Sequence, residues 1–119
     1  MEVKLGMSPI SWTNDDLPEL GGDTSLETCL KETRLAGFSG TELGGKFPNN
    51  PNSLKKVLEA HELKLISGWY SGTLLKNKLN DEKIKLDKML KLFVKVGASV
   101  LVYGETYNTV PVSYTHLTL

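Results

Sequence analysis

The sequence predicts an α/β fold with parallel strands, an arc of about four βα units from a (β/α)8 TIM barrel. Three observations predict it. Strand and helix signals alternate four times along the 119 residues, the pattern of βαβ units. The last apolar run, residues 98–103, is near-continuous and suits a parallel strand covered on both faces. Polar and aromatic residues gather where each strand ends, and α/β folds hold their ligands there. An open doubly wound sheet is the competing architecture. No dinucleotide glycine fingerprint opens the first strand-to-helix turn, which favours the barrel.

Taken in order, Val3-Lys4-Leu5-Gly6-Met7-Ser8-Pro9-Ile10 reads as the first strand, with Pro9 setting its end near Ser8. Asp15, Asp16, Pro18, Gly21 and Gly22 make a polar loop. Thr24-Ser25-Leu26-Glu27 reads as a capping box with Thr24 as the cap. Leu26, Cys29, Leu30 and Thr33 then follow at helical spacing, and Gly37 supplies a left-handed stop. Gly40-Thr41-Glu42-Leu43 is a short second strand. Asn50-Pro51 gives cap and first position of a second helix, with Leu54, Val57, Leu58 and His61 on its inner stripe. Residues 63–70 read as one third strand. Asn80-Asp81-Glu82 opens a third helix facing inward through Leu86, Met89, Leu90, Phe93 and Val96, and Gly97 stops it. Residues 98–103 close the series as strand four.

Composition narrows the function classes. There are 14 basic and 14 acidic side chains, a net charge of zero, a pI near 6.7 and a 39% apolar share. Neutral balance argues against a nucleic-acid binder or a polybasic membrane-surface protein. No apolar run approaches the roughly 18 residues of a membrane span, and the N-terminus lacks the shape of a secretory signal. The single cysteine, Cys29, excludes an internal disulfide framework and sets a cytoplasmic expectation. Charge is uneven: residues 1–45 hold eight acids against Lys4, Lys31 and Arg34, a net of −5 that residues 46–119 balance. Seven lysines between Lys76 and Lys95 sit at helical spacing and read as a solvated face.

Two motifs fail on inspection. Gly40 to Lys46 has the spacing of a phosphate loop, but Phe47 stands where the Mg²⁺-binding hydroxyl belongs, and Gly40 lies in a strand. His61-Glu62-Leu63-Lys64-Leu65 begins like a zinc-protease helix, yet Leu65 replaces the second histidine. His61 reads instead as a helix-terminal residue complementing the dipole, and Cys29 as a small buried hydrophobe.

Glu42 and Glu105 resist so plain a reading. Each ends a neutral strand where the sheet opens into loops, and a carboxylate there needs a cation, a metal or a substrate hydroxyl. Pairing of Glu42 with Lys46 and helix capping are the structural alternatives. Trp69 and Tyr70, two amphipathic aromatics at a strand end, serve either as core lids or as an apolar wall with hydrogen-bonding edges for a polyol ring.

The blocks Ser8-Pro9-Ile10-Ser11-Trp12-Thr13-Asn14-Asp15-Asp16, Leu20-Gly21-Gly22-Asp23-Thr24, Glu42-Leu43-Gly44-Gly45-Lys46-Phe47-Pro48, Ser67-Gly68-Trp69-Tyr70-Ser71-Gly72 and Tyr103-Gly104-Glu105-Thr106 resemble the myo-inosose-2 dehydratase family of the xylose-isomerase-like barrels. The resemblance runs from about Lys4 to about Thr109. It implies a lyase that removes water from 2-keto-myo-inositol (scyllo-inosose) to give a trihydroxycyclohexane-dione, a step of inositol catabolism. It also implies a Mn²⁺ or Co²⁺ ion, with glutathione associated with activity. The family's metal carboxylates and histidine lie on later strands, so no metal ligand carries over to this sequence.

The matching motif residues give the expected site: Glu105 and Lys46 as catalytic, and Trp12, Asn14, Glu42, Trp69, Tyr70 and Tyr103 as substrate-binding. Within that group Lys46 and Asn14 are expected to donate to substrate oxygens, Trp12 and Trp69 to form walls, and Glu105 to accept a hydroxyl or support from behind. A full barrel takes about 250 residues, so residues 1–109 are expected to be its N-terminal half, inactive alone. Residues 110–119 depart from the family and read as a non-native or disordered tail. The expected ligand is a small polyol ketone, with self-association or the other half of the barrel covering the open strands. Another sugar isomerase or epimerase of the superfamily is the alternative enzyme, and a non-catalytic, self-associating half-barrel the alternative outside catalysis.

Overall fold

A computed structural model of the chain describes residues 1–108. The expected tail at 110–119, with His116, lies outside the described residues. Strands and helices alternate as expected: β1 (Gly6–Met7), α1 (Leu26–Leu35), β2 (Gly40–Glu42), α2 (Pro51–Ala60), β3 (Lys64–Ser67), β4 (Trp69–Gly72), α3 (Leu79–Val96) and β5 (Val102–Glu105), with a 3-10 turn at Pro9–Ser11.

All strand pairs are parallel. β2 lies between β1 and β3, with Gly6 opposite Gly40 and Thr41 opposite Leu65. β4 pairs with β5, Trp69 opposite Val102 and Gly72 opposite Glu105. Two backbone bonds flank Gly68, each extending its own sheet: Leu43 N–H donates to Ser67 O beside the β2–β3 pair and Val102 N–H to Gly68 O beside the β4–β5 pair, both at 2.9 Å. Within each sheet the neighbours follow chain order, β1-β2-β3 in one and β4-β5 in the other. No reversal of strand order, the mark of a doubly wound sheet, occurs among the described residues.

Local chemistry explains most boundaries. Asn50 caps α2, its Oδ1 accepting from the amides of Asn52 and Ser53 at 2.9 and 3.1 Å, with Pro51 at the first helical position. Gly97 ends α3 with φ of 84°, and Gly37 follows α1 with φ of 96°. His61 terminates α2 and its Nδ1 lies 2.9 Å from Val57 O.

Four expectations are corrected. The first strand is only Gly6–Met7, because Pro9 has no amide for a ladder and starts the 3-10 turn capped by Ser8. The α1 cap is Ser25 rather than Thr24: Ser25 Oγ accepts from Thr28 N at 3.1 Å. The run 63–70 is not one strand but two, since its first part bonds β2 and its second part bonds β5 on the other side. Strand four begins at Val102, not at 98, because residues just after Gly97 first close the helix end, Ala98 N–H donating to Phe93 O.

The core lies on the helix-covered face. Leu30 of α1, Leu54 and Leu58 of α2 and Phe93 of α3 pack with Phe47, Leu63 and Leu65. Burying each such side chain contributes about 1.5–3 kcal/mol. Strand alternation sends Ile66, next to buried Leu65, to the opposite face, where it is 39% exposed. That second face, together with the strands' carboxyl ends, is where the polar residues collect. Among the described residues, no helix is long and apolar enough to cross a membrane.

Candidate functional site at the strand ends

A cavity of about 300 Å³ opens beyond β1 and β2 and against the uncovered face of β4. It is lined by Ser8, Pro9 and Ile10, by Asp15 and Asp16, by Glu42 and Leu43, and by Trp69 and Ser71. A larger cavity of about 470 Å³ lies at the opposite ends of the strands, around Leu5, Gly40 and Ile66. The strand-end cavity is the better candidate: ligands in parallel α/β folds sit at carboxyl ends, and only this cavity gathers expected site residues.

Glu42 ends β2 half-buried, on the cavity. Its carboxylate makes no hydrogen bond or ion pair with a described residue. Pairing with Lys46 does not occur. Trp69 stands 53% exposed in the wall, its indole N–H donating to Ser71 Oγ at 2.9 Å. Gly104 on β5, opposite Ser71, lacks the side chain that would collide with Trp69: a Cβ there would lie 2.1 Å from the indole ring.

None of the remaining expected residues lines this cavity. Lys46 Nζ donates to Gly22 O at 2.9 Å and also to Thr24 O. Asn14 Oδ1 accepts from the amides of Asp16 and Leu17, both at 2.9 Å, closing an Asx turn. Trp12 Nε1 donates to Glu32 Oε2 of α1 at 2.6 Å. Glu105 accepts three donors: Leu74 N at 2.8 Å and Tyr103 Oη at 3.1 Å on one oxygen, and Tyr107 N at 3.2 Å on the other. Tyr70 and Tyr103 stack at 5.6 Å on the helix-facing side of β4 and β5, away from Trp69 and Ser71. The structure thus brings Glu42 and Trp69 to one cavity and leaves Trp12, Asn14, Lys46, Tyr70, Tyr103 and Glu105 outside its lining.

Sequence reading missed one hub. Glu82, buried in the first turns of α3, accepts from Thr73 N and Tyr70 Oη at 3.0 Å, Thr73 Oγ1 at 3.1 Å and Asn77 Nδ2 at 3.3 Å. The backbone bond from Thr73 is the main force holding its carboxyl below the usual range, with Asn77, Tyr70 and the Thr73 hydroxyl adding to it against burial. Burial, then Glu82 itself, pushes the Tyr70 phenol up. The signal in sequence was slight: an acid in the first helical turn is ordinary.

The Mn²⁺ or Co²⁺ that the resemblance implies does not fit the residues in hand. Among the described residues, no group of three or more His, Cys, Asp or Glu side chains could hold a metal ion. Asp15, which shares the cavity with Glu42, has Oδ2 occupied by Gly45 N at 2.9 Å.

No family model matches the chain. Its sequence is 48% identical over 106 residues to rhizopine catabolism protein MocC of Rhizobium meliloti, covering 89% of this chain and 33% of that protein. It is 41% identical over 108 residues to inosose dehydratases of Bacillus thuringiensis (strain Al Hakam) and Bacillus cereus (strain 03BB102), covering 91% of this chain and 36% of each. The chain spans about a third of the length of these curated relatives. Along nearly all of its own length, then, the chain is a homologue of the inosose dehydratase and MocC proteins.

Proposed function

We propose that the chain is an arc of a (β/α)8 barrel and supplies part of the substrate mouth of a lyase that dehydrates 2-keto-myo-inositol. Two findings support this reading: parallel strands whose neighbours follow chain order within each sheet, and homologues named inosose dehydratase. The observation that carries it furthest is Glu42, a carboxylate at a strand end, without a described partner, beside an exposed indole and a serine hydroxyl.

A cyclic polyol presents C–H faces and a ring of hydroxyls. Trp69 offers the apolar surface, Glu42 accepts a hydroxyl hydrogen, and Ser8 and Ser71 add short hydrogen-bonding groups. In the dehydration, the ketone acidifies the neighbouring C–H. A base takes that proton, the hydroxyl on the next carbon departs as water, and the resulting enol tautomerises to the dione. In this reading Glu42 fixes the ring so that the departing hydroxyl is presented correctly.

The test is a titration of 2-keto-myo-inositol into the chain, followed by tryptophan fluorescence; Trp12 and Trp69 are the two reporters. Glu42→Gln is expected to weaken binding about tenfold, the loss of one charge-assisted hydrogen bond. Absence of binding by the unaltered chain, or equal affinity in Glu42→Gln, defeats the reading.

A further inference from the structure

We propose that Lys46 is a positioning residue: with Gly45 it clasps the loop between β1 and α1 and thereby sets one wall of the strand-end cavity. Its ammonium touches no cavity-lining side chain. It is spent on the carbonyls of Gly22 and Thr24, the last turns of chain before the α1 cap. One residue earlier, Gly45 N–H holds Asp15 Oδ2 at 2.9 Å. A Cβ on Gly45 would lie 2.6 Å from Asp15 Oδ1, so a larger residue there has to push the Asp15 carboxylate aside.

The two adjacent residues therefore grip both ends of the segment from Asp15 to Thr24. Inside it, the Asn14 turn fixes the amides of Asp16 and Leu17, and Asn14 N–H donates to Leu20 O at 3.0 Å. Asp15 and Asp16 are the part of this segment that lines the cavity. Ordering such a loop opposes backbone entropy of about 1–2 kcal/mol per residue, so tethers at its two ends decide whether the wall is standing before a ligand arrives. Lysine suits the task because one ammonium reaches two carbonyls at once.

The consequence for a polyol rests on the function proposed above; the consequence for the loop does not. The experiment compares the unaltered chain with Lys46→Met, Lys46→Arg, Asp15→Asn and Glu42→Gln. It reads amide hydrogen exchange across residues 14–24 without ligand, and 2-keto-myo-inositol binding by fluorescence. Lys46→Met is expected to speed exchange at Leu20 and Thr24 roughly tenfold, the order expected for losing a charged hydrogen bond, and to weaken binding. Lys46→Arg restores both. Asp15→Asn loosens the first half of the segment, and Glu42→Gln weakens binding without altering exchange. Unchanged exchange in Lys46→Met overturns the proposal, and weakened binding alongside it makes Lys46 a direct ligand contact. If the unaltered chain binds no polyol, the functional reading fails while the exchange comparison still decides the clasp.

Discussion

The phenol of Tyr70 on β4 donates to the buried carboxylate of Glu82 on α3 across 3.0 Å, and this one acceptor gathers the loop between the two elements. Thr73 and Asn77 complete the set, so the carboxylate replaces its water shell with four protein donors. Removing the charge leaves those donors turned towards a poorer acceptor.

An acid-sensitive stability follows. The folded-state pKa of Glu82 is lowered, so its contribution is fully present above the ordinary carboxylate pKa of about 4.3 and is lost as pH falls through the folded value. The urea midpoint of the unaltered chain should therefore drop as pH goes below about 4. Glu82→Gln should lower the midpoint at pH 7 and flatten that acid limb. A parallel, undiminished acid limb in the variant would assign the effect to other carboxylates.

How legible this was in the sequence depends on the range of each interaction. Asn50-Pro51, Gly37 and Gly97 announced helix ends because a cap is settled within a few residues. The Glu82 hub was invisible because burial of an acid is decided by packing, and its donors come from a loop five to twelve residues away. The break at Gly68 was equally hidden: residues 63–70 are uniformly strand-like, and only partners on opposite sides divide them. In the site, Glu42 was legible as a strand-end residue, whereas Trp69, expected at a strand end, opens β4 instead. What Lys46 holds was not legible, since its acceptors are backbone carbonyls 22 and 24 residues earlier.

Leu54 has no exposed surface and belongs to the core cluster with Leu30, Phe47, Leu58, Leu63, Leu65 and Phe93. Leu54→Ala is expected to cost about 2–5 kcal/mol, the transfer term plus a cavity that the surrounding leucines and Phe93 cannot fill. Chemical denaturation checks it. Val94, 80% exposed on α3, is the control: Val94→Ala should change stability by no more than about 0.5 kcal/mol.

Cys29 is buried, and that burial is the largest of the influences raising its thiol pKa. A neutral, enclosed thiol is a poor nucleophile. A disulfide reagent at pH 8 should label it slowly in the native chain and rapidly in denaturant. Rapid labelling in native buffer would mean that α1 opens readily.

The two candidate caps of α1 give a last, local test. Sequence favoured Thr24 with Glu27, whereas in the structure Ser25 Oγ accepts from the amide of Thr28 at 3.1 Å and donates to the Thr28 hydroxyl at 2.9 Å. A cap is worth about 1 kcal/mol, because an orphan amide at the first turn otherwise has only water to bond. Ser25→Ala should therefore lower stability by about that amount, and Ser25→Asp should restore it, since aspartate accepts the same amide and faces the positive end of the helix. Thr24→Ala should cost less, because the contribution of Thr24 to the clasp is its carbonyl, which the substitution keeps. Denaturant midpoints of the three variants decide it, and a larger loss for Thr24→Ala than for Ser25→Ala would return the cap to Thr24.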